Sequence, residues 1–154
     1  SLYYTMKSYN LSNTYWSLIL PQIGLSIPFS IFWLRASFKA IPKSLSEAAM
    51  IEGAGRFTIL IKILIPQMIP AILTLTVLLF MWTWNEFLLA LIMIQDADMR
   101  TAPLALSYFA GNKRYGDPAI TAAAAIWVAL PVLIMYVFLQ RRFISGMVTG
   151  AVKE

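Results

Sequence analysis

Neither cysteine nor histidine occurs in the 154 residues. That absence removes thiolate and imidazole metal sites, cysteine nucleophiles and histidine-centred triads together, so any chemistry would have to use Asp, Glu, Lys, Ser, Thr or Tyr. It also removes a disulfide framework and leaves the redox compartment undetermined. Charge is scarce: 12% of residues are Asp, Glu, Lys or Arg, against roughly 25% in a typical soluble domain. No G-x-x-x-x-G-K-[ST] run occurs, so the chain cannot itself cradle the phosphates of ATP. An initiator Met, a basic leader and a small-residue cleavage site are missing too. "SLYYTM" resembles the end of a helix, and the sequence is expected to be a piece of a longer protein.

What is present is mostly apolar. A hydrophobic share of 60% and a mean hydropathy of +0.72 make the bilayer the first hypothesis. The net charge of +5 is spread among hydrophobic runs without a concentrated patch, which suits membrane orientation and argues against nucleic acid as a partner.

Thr14 to Leu34 runs 21 residues without a charge, close to the roughly 20 that cross about 30 Å of hydrocarbon at about 1.5 Å per residue. Pro21 and Pro28 are expected to kink it. A second run, Gln67 to Asn85, begins beside Pro66 and Pro70 and ends in "MWTWNEF", where Trp82 and Trp84 suit the headgroup region. The third, Pro118 to Gln140, is uncharged until Arg141 and Arg142, and its alanine block permits close approach of another helix. These runs predict an all-α, polytopic transmembrane fold with spans at 14–34, 67–85 and 118–140. A soluble bundle with helices apolar all round would not need three such lengths.

Basic residues set the orientation. The connection 35–66 carries Arg35, Lys39, Lys43, Arg56 and Lys62, and the tail 141–154 carries Arg141, Arg142 and Lys153. Both are expected on the cytoplasmic side, with segment 86–117 outside, its basic residues partly balanced by Glu86, Asp96, Asp98 and Asp117.

The 35–66 connection is itself patterned. Ser44 followed by Glu47 has the spacing of a capping box, predicting a helix that begins at Ser44. Gly53 can supply the left-handed residue that ends it, and Gly55 allows a second change of direction before "RFTILIKILIP". A short helix lying across the membrane surface results. Glu47 and Glu52 offer charge, Ala48 and Ala49 an approachable backbone, and Met50 and Ile51 apolar knobs, a combination suited to a groove on a cytoplasmic partner. The plainer alternative is an interfacial helix whose Met50, Ile51 and Phe57 dip into lipid.

"EAAMIEGAGRFTILIKILIP" resembles the EAA loop of binding-protein-dependent ABC importer permeases, whose pattern is E-A-A, three residues, Gly, nine residues, then I-x-L-P. Glu47, Ala48, Ala49, Gly53, Ile63 and Pro66 match in register, while Ile65 stands for the usual leucine and Glu52 for a common aspartate. "MWTWNEF", "TAPLAL" and "QRRFISGMVTGAVKE" are similar to the maltose-type branch of carbohydrate permeases, and the resemblance covers essentially the whole chain as the C-terminal half of such a subunit. It implies a multi-pass protein of a bacterial or archaeal inner membrane, with Glu47, Ala48, Ala49, Met50, Ile51 and Gly53 in a coupling helix docked on an ATPase. The implied partners are ATP-binding cassette subunits, which hold ATP and Mg, a second permease subunit, an external solute-binding protein and lipid. This chain would bind no cofactor or metal and carry no catalytic residue.

Trp82, Trp84, Asn85 and Glu86 are candidates for a substrate path or external gate, because an intramembrane carboxylate is expensive and indole can stack on a sugar ring. The alternative is that "NE" marks the end of a span and the tryptophans anchor it at the interface. Trp33 and Trp127 pose the same choice. Gln22, Ser26, Ser30, Thr74 and Thr76 could line a polar path or bond between helices. The "FLLALIMI" stretch beyond Glu86 is expected to be a re-entrant or scaffold segment. An intramembrane enzyme lacks a Ser/Lys pair within one span or a second carboxylate beside Glu86, and a passive channel lacks a repeated polar ring.

Overall fold

The apolar runs fold as helices, and no strand occurs among the described residues. The computed structural model describes residues 2–111 and 117–151, without the side chains of residues 110, 111 and 138–151. In chain order the helices are α1 (Leu2–Ser8), α2 (Trp16–Ala40), α3 (Lys43–Ile51), α4 (Arg56–Ile59), α5 (Ile65–Trp84), α6 (Leu88–Met93), α7 (Ala102–Gly111) and α8 (Pro118–Ala151). A π turn, Leu60–Leu64, joins α4 to α5, and a 3-10 turn, Ala97–Met99, precedes α7. Trp16–Ala40, Arg56–Trp84 and Pro118–Val137 are each long and apolar enough to cross a membrane.

These helices reach past the uncharged runs. α2 passes unbroken through Pro21 and Pro28 and takes in Arg35 and Lys39, because cations suit the negative end of a helix and their long stems can lie along apolar surface. It stops before Ile41, whose helical conformation the following Pro42 disfavours. The second span is helical from Arg56, 29 residues in all. Pro66 explains the π turn inside it: proline has no N–H for the carbonyl four residues back, and its ring crowds that carbonyl.

α8 starts where Asp117 accepts from the Ala119 amide at 2.9 Å, with Pro118 at the first helical position. It then continues through Gly146 and Gly150 to Ala151. The two glycines do not end it. Each glycine costs about 1 kcal/mol relative to alanine, but a helix already nucleated by a long apolar span propagates through it. The side chains of Arg141, Arg142 and Lys153 lie outside the described residues.

The chain divides into two compact units. One comprises residues 1–25 and 80–138. Its core joins Met6 and Leu18 to Ala90, Met93, Ile94 and Leu104, so "FLLALIMI" folds as α6 and supplies much of that core. Asn13, in the left-handed region at φ 57, staples the unit: its amide donates to the Met93 carbonyl, and its Oδ1 accepts from the amides of Gln95 and Asp96 at 2.9 and 3.0 Å. The other unit comprises residues 26–79 and 139–154. In it the Trp33 indole N–H donates to the Ala71 carbonyl at 3.0 Å, tying α2 to α5, and Ala49, Ile59, Met68, Leu75 and Val77 are buried.

Candidate docking site

The surface helix α3 begins two residues earlier than a capping box on Ser44 would place it. Pro42 occupies the N-cap position with ψ 129, its carbonyl accepts from the Leu45 amide, and no side chain caps the end. Ser44 therefore sits inside the first turn, and the capping-box expectation is overturned. The locked φ of Pro42 already sets the chain direction into the helix, and the Ser46 hydroxyl donates to the Lys43 carbonyl at 2.8 Å.

The other end behaves as the glycine pattern predicts. Gly53 takes φ +82, its amide donates to the Met50 carbonyl, and the Ala54 amide donates to the Ala49 carbonyl, both at 3.0 Å. This pair of bonds is a Schellman motif, which satisfies carbonyls that a helix end otherwise leaves bare. Gly55, extended at ψ 154, then starts α4.

Helical spacing divides α3 into two faces. Ala49 is 7% exposed and Leu45, one turn back, is half-buried. Glu47 and Ile51, four residues apart, lie opposite, with Ser44 beside them and Ala48 and Met50 on the flanks. Ile51 is 88% exposed and Met50 52%. Full burial of such a side chain stabilises by about 1.5–3 kcal/mol. The helix thus holds two apolar knobs and a carboxylate away from its own chain, between two candidate spans.

The four candidate gate residues have different surroundings. α5 ends at Trp84, whose indole N–H donates to the Val128 carbonyl of α8 at 2.9 Å while its ring stacks on Phe80. Asn85 turns its Nδ2 back onto the Met81 carbonyl at 2.7 Å. Glu86 accepts from the Leu89 amide at the start of α6, and its carbonyl accepts from the Thr101 hydroxyl at 3.2 Å. Trp82 is exposed. Trp84, Asn85 and Glu86 thus shape the turn from α5 into α6. The hydroxyls of Ser30, Thr74 and Thr76 each donate to the carbonyl four residues back in their own helix.

Sequence reading misses the Asn13 staple and the contact of the Arg100 guanidinium with the Tyr108 ring, 3.8 Å from its centroid. "TAPLAL" carries only a resemblance in the sequence. It places Thr101 before α7, with Leu104 1% exposed in the core.

The chain is 36% identical over 99% of its length to the sulfoquinovosyl glycerol transport system permease protein SmoH of Agrobacterium fabrum, and covers 53% of that protein. It is 34% identical over 96% of its length to the trehalose transport system permease protein SugB of Mycobacterium tuberculosis, covering 54%. With the trehalose/maltose transport system permease protein MalG of Thermococcus litoralis the identity is 35% over 92%, covering 51%. The chain spans about half the length of the curated relatives it matches. With residues 4–147 matching the family described as the binding-protein-dependent transport system inner membrane component, the chain belongs to that family.

Proposed function

We propose that the chain forms part of the membrane-spanning subunit of an ATP-driven importer for a sugar or oligosaccharide, and that α3 couples it to a cytoplasmic ATPase. The observation that carries the reading is the outward face of α3, where Glu47, Met50 and Ile51 project from a helix fixed at both ends between two spans. Family membership and relatives named for trehalose and sulfoquinovosyl glycerol support the solute class. ATP hydrolysis belongs to the partner, which binds ATP and Mg. A second permease subunit and an external solute-binding protein complete the assembly.

The mechanism is alternating access. Closure of the ATPases displaces α3, and helix bundles rock around the solute. For α3 to transmit anything it must interact differently with the two ATPase states, since a tether that binds both equally shifts no population.

The test uses the assembled transporter. Ile51→Glu should lower co-purification of the ATPase and abolish solute-stimulated ATP hydrolysis while leaving membrane insertion intact. Glu47 makes no cap bond, so neither Glu47→Lys nor Glu47→Gln removes one; Lys also places a like charge four residues from Lys43, worth about 0.2–0.5 kcal/mol, and a larger difference between the two reports the charge presented to the partner. Near wild-type stimulation in all three variants would falsify docking, leaving α3 as an interfacial helix. Transport assayed across sugars and non-sugar solutes decides the substrate class.

A further inference from the structure

The last turns of α2 carry a second unaccounted feature. Arg35 and Lys39 are both exposed, and their spacing of four puts them on one face of the helix. Neither makes an ion pair or side-chain hydrogen bond among the described residues. The sequence contains no Asp or Glu before Glu47, so nothing along α1 or α2 can offset the pair. Like charges at this spacing repel within the helix, and an anion from outside the chain relieves that repulsion.

The same face continues as apolar surface. Ile31 lies four residues before Arg35 and Phe32 three, and they are 62% and 72% exposed. At about 1.5 Å per residue the stretch from Trp16 to Leu34 covers about 28 Å, nearly the full hydrocarbon thickness of about 30 Å. Arg35 and Lys39 then stand in the headgroup layer.

We propose that this face of α2 binds an anionic phospholipid, its phosphate between Arg35 and Lys39 and an acyl chain along Ile31 and Phe32. A neighbouring protein helix could supply a carboxylate instead, but it would have to desolvate that acid at the membrane edge. Headgroup phosphates already lie at this depth. The inference rests on α2 crossing the bilayer and is independent of what α3 docks on.

The assembled transporter, in nanodiscs of phosphatidylcholine with or without phosphatidylglycerol, provides the test, with retained lipids counted by native mass spectrometry. Wild type should retain phosphatidylglycerol in preference to phosphatidylcholine. The double substitution Arg35→Gln, Lys39→Gln should cut that preference about 30-fold, from about 1 kcal/mol per basic residue near an anionic surface. Lys7→Gln should leave it unchanged. Equal retention of both lipids by wild type, or an undiminished preference in the double variant, would overturn the proposal. So would displacement of the bound lipid by millimolar glycerol phosphate, which points to a free-phosphate site, or loss of a protein subunit from the double variant, which points to a protein interface. Failure of docking by α3 would leave the lipid counts intact, so the two readings fail separately.

Discussion

Gly53 is the residue on which the surface helix most depends. At φ +82 it lies where an L side chain is strained, yet no heavy atom outside its neighbours lies within 4 Å of a Cβ built there. The penalty for substitution is therefore one of backbone conformation. Gly53→Asn should be mild, because asparagine tolerates this region and Asn10 and Asn13 occupy it in the same chain. Gly53→Val should destabilise the end of α3 by about 1–2 kcal/mol. Gly53→Pro should do most damage, forbidding the conformation and removing the amide that donates to Met50. Amide exchange across residues 49–54, with solute-stimulated ATP hydrolysis alongside, checks the order Asn, Val, Pro; equal exchange in all three variants would contradict it. Gly53 was legible because its signal is local, a glycine following an apolar turn. Asn13 was not, because the groups it staples lie more than 80 positions away. The misread Ser44 shows a third situation: a correct local motif yields to a proline two residues upstream that fixes the helix start first.

At the scale of elements, two indole hydrogen bonds do different joining. Trp33 ties α2 to α5 in one unit, and Trp84 ties α5 to α8 in the other. Trp84→Phe should keep the ring contact with Phe80 and lose only the donor to Val128, lowering stability by about 0.5–1.5 kcal/mol. Trp84→Ala should cost more. Thermal unfolding in detergent measures both, and equal effects would show that the N–H, not the ring, carries the stabilisation. Helix identity and type were readable from uncharged runs of span length. Helix ends were less so. Charged residues suggest a boundary by composition, whereas Arg35, Lys39, Arg56 and Lys62 all fall inside helices, where a long stem and the headgroup layer accommodate the charge. The π turn left no periodic signature and is explained only afterwards by Pro66.

For the whole molecule, the expected orientation follows from the excess of basic residues at one end of the spans. Ser44→Cys on α3 should resist a membrane-impermeant thiol reagent in intact cells, while Asp98→Cys in the 3-10 turn should react; both positions are exposed. The reverse labelling would invert the topology and place α3 beyond reach of any ATPase. The long helix from Arg56 to Trp84 has a further consequence, in terms of bilayer thickness. Its 29 residues measure about 44 Å, some 14 Å more than the hydrocarbon layer of about 30 Å. The stretch from Lys62 to Trp84 alone, about 34 Å, slightly exceeds the layer, so α4 stands beyond it as a stub that carries α3 on its end. Hydrophobic mismatch therefore acts on the segment that bears α3, the proposed coupling element: a thicker membrane draws the stub inward, and a thinner one tilts the span or lets more of it emerge. Solute-stimulated ATP hydrolysis should pass through a maximum as acyl chains are lengthened from 14 to 22 carbons (about 0.8 kcal/mol of apolar transfer per methylene governs the fit), with insertion unchanged, and a flat profile would show that α3 moves independently of the span that bears it.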